Sequence, residues 1–195
     1  MLVIATHNDD KFREIQQILS PIDCQSAKDF HISSPEETGC TFVENALIKA
    51  RACSTATQLP CIADDSGLVV PALEGKPGIY SARFAGALAS SADNRKLLLD
   101  MMREFPTNKR HAYFYCATVY IAYPEDPTPI IALGQWSGVI LNEERGQNGF
   151  GYDSLFYLPQ FERTASQLSS EEKNKLSHRG QALSALVRQL KAVVS

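Results

Sequence analysis

Two stretches rich in β-branched and aromatic residues, Arg110 to Tyr123 and Ile130 to Leu141, flank the segment Pro124-Glu125-Asp126-Pro127-Thr128-Pro129. The first is the best strand candidate in the chain, and the proline-rich connection predicts that the two form a long hairpin. The rest alternates between the two periodicities. Leu2 to Ala5 reads as a short buried strand. Phe12, Ile15, Ile18 and Leu19 then share one face of a helix that Asn8 or Asp9 can cap and that stops near Ser20-Pro21. A long hairpin inside alternating helices and strands excludes a purely parallel sheet. It predicts a mixed α/β sheet flanked by helices.

The remaining elements follow from local chemistry. Thr41-Phe42-Val43-Glu44 is a capping box that opens a helix to about Thr57, because hydroxyl and carboxylate satisfy each other's backbone donors. Cys61 to Asp64 reads as a strand, Asp65-Ser66-Gly67 as a turn, and Leu68 to Val70 as another strand. Glu74 to Gly86 reads as a loop ordered by Tyr80 and Phe84, Asp93 as the cap of a helix through Met102, and Asn142 to Gly151 as a polar loop. The chain closes with helix from about Ser169, broken near Ser177-His178. No repeat, low-complexity tract or linker divides residues 1–195, so a single domain is expected.

Composition narrows the function classes. Nineteen Lys and Arg against 22 Asp and Glu give a net charge of −3, the wrong sign for coating a nucleic-acid polymer. No run approaches the apolar length of a membrane span, and Leu2-Val3-Ile4-Ala5 is too short for a secretory signal core. The five Cys are an odd number without a Cys-x-x-Cys pair. They indicate neither a zinc ribbon nor a disulfide framework, and read as small buried side chains in a reducing, cytoplasmic compartment.

The chain lacks the P-loop, dinucleotide, zinc-protease and nucleophile-elbow signatures. Five polar segments remain. Thr6-His7-Asn8-Asp9-Asp10-Lys11 lies between the first strand and helix, where free backbone N–H groups and a Lys suit an anion. Pro35-Glu36-Glu37-Thr38-Gly39 leads into the capped helix that carries Glu44 and Lys49. Asp64-Asp65-Ser66-Gly67 offers hard oxygen ligands suited to Mg²⁺. In Gly149-Phe150-Gly151-Tyr152-Asp153, an aromatic between glycines can lie against a base while the Asp accepts from it. Lys173-Asn174-Lys175-Leu176-Ser177-His178-Arg179 is a basic run at a helix break. As a set, they match a nucleotide polyphosphate with a divalent ion.

Thr6-x-Asn8-x-x-Lys11, Glu36-Glu37-Thr38-Gly39-x-Thr41-Phe42-x-Glu44-Asn45-Ala46, Ala63-Asp64-Asp65-Ser66-Gly67-Leu68, Pro77-Gly78-x-Tyr80-Ser81-Ala82-Arg83-Phe84, Gly149-Phe150-Gly151-Tyr152-Asp153 and Ser177-His178-Arg179-Gly180 occur in this order. In these motifs the chain closely resembles the inosine triphosphate pyrophosphatase family, the dITP/XTP diphosphatases. His7 stands where the family commonly has Gly; with Thr6, Asn8 and Lys11 kept, little consequence is expected.

The resemblance implies an elongated sheet in two lobes with the nucleotide in a cleft between them, a homodimer, and Mg²⁺ dependence. It implies hydrolysis of purine nucleoside triphosphates (ITP, dITP, XTP and dXTP) to monophosphate and pyrophosphate, which cleanses the nucleotide pool. By position, Thr6 to Lys11 and Lys49 would hold phosphates, and Asp65 would be catalytic base and metal ligand. Glu36 would be the second metal carboxylate, and Ser66 would lie beside the substrate. Phe150, Gly151, Tyr152, Asp153, Lys173, His178 and Arg179 would surround base and sugar. Hypoxanthine and xanthine present a 6-oxo acceptor where adenine has a donor, so His178 and Arg179 are expected to select by donating. The nearest rival is a pyrophosphatase of modified pyrimidine or 7-methylguanine triphosphates; a non-catalytic nucleotide sensor is a more distant one.

Overall fold

The computed structural model describes residues 1–194. Its seven strands, β1 (Leu2–Ile4), β2 (Cys24–Ser26), β3 (Cys61–Val69), β4 (His111–Ile121), β5 (Ile130–Ile140), β6 (Phe156–Leu158) and β7 (Arg163–Thr164), hydrogen-bond in the order β2-β1-β3-β4-β5-β6-β7. β1 runs parallel to both β2 and β3, whereas β5–β6 and β6–β7 are antiparallel, so the sheet is mixed as expected. The long strands β4 and β5 are sheet neighbours. The helices are α1 (Asp9–Leu19), α2 (Phe42–Thr57), α3 (Ser91–Met102), α4 (Ser170–Leu176) and α5 (His178–Val194). None among the described residues is long and apolar enough to cross a membrane.

The chain forms two compact units, neither contiguous in sequence. The first comprises residues 1–66, 116–134 and 178–195, and the second 67–115 and 135–177. Ile4, Ile62 and Ala132 of the sheet pack with Ile15 and Leu19 of α1 and with Leu183 and Leu186 of α5 in the first core. The second core is aromatic. Phe156 lies with its ring centroid 4.6 Å from Phe114 and 5.5 Å from Trp136, above Leu68, Leu98 and Met102.

Local chemistry set several boundaries. Asn8 caps α1, its side chain accepting from the backbone N–H groups of Asp10 and Lys11. The Thr41–Glu44 capping box opens α2. α3 is capped by Ser90, with Asp93 returning the bond from the third position, so Asp93 is the partner of the cap and not the cap. The expected turn at Asp65-Ser66-Gly67 is absent. β3 runs unbroken through it as an inner strand, with its β1 pairs at Cys61 and Ile62 and β4 as its other neighbour, and its place in the sheet outweighs the local preference of Asp, Ser and Gly for turns. In the 74–86 stretch, Phe84 packs against the second core, whereas Tyr80 is exposed at the start of the 3₁₀ turn Gly78–Arg83, with the Arg83 guanidinium over its ring. All five Cys are free thiols; four are buried and Cys40 is exposed.

Candidate active site

β1 ends at Ile4, whose register partner on β3 is Ile62. Two residues further along β3, Asp64 therefore lies level with the turn that follows β1. Lys11, in the first turn of α1, reaches across so that Nζ donates to Asp64 Oδ2 at 3.1 Å. The turn itself is pinned by Asn8 N–H donating to Thr6 Oγ1 and by buried Ser26 Oγ donating to the Thr6 carbonyl. Asp9 is exposed and pairs with Lys28, and exposed Asp10 pairs with Arg13.

The adjacent carboxylates do not converge. Successive side chains of a strand point to opposite faces, and the partners of Asp64 and Asp65 differ accordingly. On one face Asp64 meets Lys11, Arg179 (Nε at 3.3 Å) and Ser66, whose hydroxyl donates to it at 3.1 Å. On the other, Asp65 accepts from Lys49 Nζ of α2 at 2.8 Å, and Lys49 also binds Glu37 at 3.1 Å. The electrostatics diverge in the same way. Burial opposes the charge of Asp64, but Lys11, Arg179 and Lys49 overrule it and hold the carboxyl far below the usual range. For Asp65 burial prevails over Lys49 and Lys11, and its pKa is raised. Lys49 stays firmly protonated, because Asp65, Asp64 and Glu37 outweigh its own desolvation. Adjacent carboxyls driven in opposite directions are what a site needs to divide an organising role from a proton-accepting one.

Arg179 is 2% exposed, and its guanidinium is gripped by Asp64, by Glu14 of α1 and by Ser66 Oγ at 2.9 Å. The start of α5 approaches β5 at Gly134, where any Cβ would overlap the His178 carbonyl oxygen. The basic run is not a solvated face, because Lys173, Ser177, His178 and Arg179 are all buried. Arg179 is thus committed to two carboxylates rather than presented as an open donor. Glu14 was not legible as a site residue, although its position one turn after Lys11 on the same face of α1 was the available signal.

A second cluster belongs to the other unit. Gly149 has φ +75°, and a Cβ there would overlap Asp153 Oδ2. That oxygen accepts from the Phe150 backbone N–H at 2.9 Å and from Lys173 Nζ at 2.7 Å, and the same ammonium lies 4.6 Å from the centroid of the Phe150 ring. Arg95 of α3 steadies the loop by donating to the Gly151 carbonyl at 2.9 Å and pairing with Glu144. Its contribution was invisible in the sequence. Tyr152 is buried in the core, with its hydroxyl donating to the Ser81 carbonyl. A polar pocket of about 180 Å³ lies among Arg95, Glu144, Asn148, Phe150, Asp153 and Ser166.

Among the described residues no three His, Cys, Asp or Glu side chains form a ready cation cage. Yet Asp64 Oδ1 and Asp65 Oδ2 are buried oxygens with no hydrogen-bond partner. Unpartnered buried carboxylate oxygens are costly; the two lie on opposite faces and cannot share one ion, and it is Asp65 Oδ2 that fits a hard divalent cation whose remaining ligands would come from substrate phosphates and water. Glu36 is exposed, and its neighbour Glu37 makes the contact to Lys49.

The Ham1 family model matches residues 2–189. A dITP/XTP pyrophosphatase of Pectobacterium atrosepticum is 48% identical over 192 residues, covering 97% of this chain and 98% of that protein. The dITP/XTP pyrophosphatase of Escherichia coli K12 is 47% identical with the same coverage. The solved structure of a HAM1 protein from Coxiella burnetii superposes with a TM-score of 0.90 at 42% identity, covering 98% of each chain.

Proposed function

This chain belongs to the Ham1 family, and we propose that it hydrolyses non-standard purine nucleoside triphosphates of the dITP and XTP type to the monophosphate and pyrophosphate. The observation that carries the reading is the split pair on β3, with Asp64 held ionised among three cations and Asp65 raised in pKa with one oxygen unpartnered.

In this reading water attacks phosphorus, a P–O bond forms as the bond to the pyrophosphate oxygen breaks, and a proton leaves the water. Asp65 Oδ2 takes that proton, since a base must be ionised at working pH yet basic enough to accept. Mg²⁺ held by Asp65 and Glu36 would neutralise phosphate charge and lower the pKa of bound water. Residues Thr6, His7, Asn8, Asp9, Asp10 and Lys11 form the phosphate turn; the N–H groups of Asn8, Asp10 and Lys11 are engaged by Thr6 and Asn8, so the His7 and Asp9 N–H groups and the Lys11 ammonium are the donors proposed for phosphate oxygens. Lys49 exchanges part of its carboxylate pairing for phosphate, and Ser66 donates its hydroxyl beside the substrate. Such charge-assisted bonds are typically worth about 1.5–3 kcal/mol each.

Phe150 offers a ring face to the base, with Gly151, Tyr152 and Asp153 fixing the loop around it. Lys173, His178 and Arg179 are each proposed to donate to a 6-oxo purine, which mismatches them to the 6-amino group of adenine; Arg179 would first give up part of its pairing with Asp64 and Glu14. We further propose that the 195 residues act as one domain that is cytoplasmic and homodimeric; that neither compact unit is a contiguous stretch of sequence supports the first part.

A nucleotide panel assayed with and without inorganic pyrophosphatase tests the reading. The expected result is fastest turnover of dITP, ITP or XTP, with phosphate detected only when pyrophosphatase is added. Faster hydrolysis of dTTP or UTP would instead favour an enzyme of modified pyrimidines.

A further inference from the structure

His7 stands in the β1–α1 turn, and its ring is engaged by a segment more than twenty residues away. Nε2 lies 2.5 Å from the Ile32 carbonyl oxygen and Nδ1 lies 2.7 Å from Ser34 Oγ. A carbonyl only accepts, so Nε2 carries a proton and donates to Ile32; in the neutral ring Nδ1 then accepts the Ser34 hydroxyl. The segment held in this way is irregular. Between the 3₁₀ turn Ala27–Phe30 and α2, residues 32–39 form neither helix nor strand. Its far end is fixed by the Gly39 N–H donating to Asn45 Oδ1 at 2.8 Å, and its middle by Glu37 on Lys49.

We propose that the His7 side chain is a positioning residue: it ties the Ile32 carbonyl and the Ser34 hydroxyl to the phosphate turn, and so holds Glu37 on Lys49 and limits the reach of Glu36. Two residues of chain span at most about 7 Å, so fixing Ser34 leaves Glu36 little room to wander. Without the tether, this half-exposed eight-residue segment would sample many conformations, and assembling an acidic ligand from it would carry the ordering entropy each time. The consequence for metal affinity rests on the proposed role of Glu36; the tether itself does not.

Two readouts separate these. Hydrogen exchange of the 32–38 amides is compared in wild type, His7→Gly and His7→Gln, alongside Mn²⁺ binding to the nucleotide-free protein followed by electron paramagnetic resonance. In His7→Gly, exchange of 32–38 is expected to speed up about tenfold to a hundredfold, the scale of two lost hydrogen bonds. The Mn²⁺ dissociation constant is expected to rise by a similar factor, while exchange in α2 and β3 stays unchanged. His7→Gln keeps a donor toward Ile32 and should recover part of both effects. If His7→Gly does not fold, Ser34→Ala removes one of the two bonds and should give the same pattern at smaller size. Unchanged exchange at 32–38 would overturn the proposal, as would faster exchange with unaltered Mn²⁺ affinity while Glu36→Gln weakens it. Intact Mn²⁺ binding in Glu36→Gln would remove Glu36 from the metal site, and exchange would then decide the tether alone.

Discussion

The two clusters of candidate site residues are built by opposite means. Around β3, charged groups sit on regular elements and are held by partners 16, 53 and 115 residues away in sequence. In the 149–153 loop, Asp153 Oδ2 is held from three residues away by Phe150 and from 20 away by Lys173, on a backbone whose glycines adopt positive φ. The difference follows from what each must do. Buried carboxylates stay ionised only if cations converge on them from several elements, so their geometry has to come from the sheet and its helices. A flat aromatic platform with one acceptor needs only loop shape, which glycine supplies locally.

The comparison breaks most sharply at Asp65. Asp65→Asn should lower kcat by about a thousandfold or more while nucleotide binding persists, since proton acceptance and a charged ligand are lost together. In the wild type, kcat should fall as pH drops through the pKa of Asp65, which burial raises above the usual 3.8. That acid limb should vanish in the variant. The sign for stability is the reverse of the usual carboxylate: a raised folded pKa means that ionising Asp65 costs stability at neutral pH. The thermal midpoint of Asp65→Asn should therefore hold or rise, with Lys49 still paired to Glu37. Equal turnover in variant and wild type would remove Asp65 from the chemistry.

One residue earlier, the same substitution should do the opposite. Asp64→Asn leaves the buried Arg179 and Lys11 without their shared anion, a loss of about 3 kcal/mol or more at pH 7. Because the folded pKa of Asp64 is depressed, its stabilisation is fully present above the unfolded value and wanes as pH falls below it. Urea unfolding should show the gap between wild type and variant narrowing from pH 7 to pH 3. A pH-independent gap would mean that packing, not charge, is what Asp64 contributes.

The contrast also explains what the sequence could convey. The Thr41–Glu44 box and the break at Ser177-His178 are local signals, and α2, α4 and α5 follow them. Asp65-Ser66-Gly67 is a local signal too, but a misleading one, since it lies within an inner strand of the sheet. β2, β6 and β7 have only two or three residues each and show no periodicity to read. Among the candidate residues of the two clusters, Asp65, Lys11, Lys49 and Lys173 stand out as unusual residue types at motif positions. Glu14 and Arg95 look like ordinary charges on helix surfaces, and only the tertiary structure turns them toward Arg179 and Gly151. The same blindness hid the two faces of β3, because an Asp-Asp pair suggests convergence until a strand separates it.

The smallest effect discriminates within a single run of basic residues. Lys173 and Lys175 are two positions apart on α4, a spacing that puts side chains on different sides of a helix. Lys173 is buried against Asp153 and the Phe150 ring, whereas the Lys175 side chain is 72% exposed and pairs with Glu171. Lys173→Ala removes a charge-assisted bond and should raise KM for dITP about tenfold to a hundredfold, with kcat changed less. Lys175→Ala removes a screened surface charge and should leave KM within about twofold. Equal shifts in the two variants would mean that the run acts as a diffuse positive field. In that case the loop cluster would lose its claim to specific contact, and added salt should then abolish both effects alike.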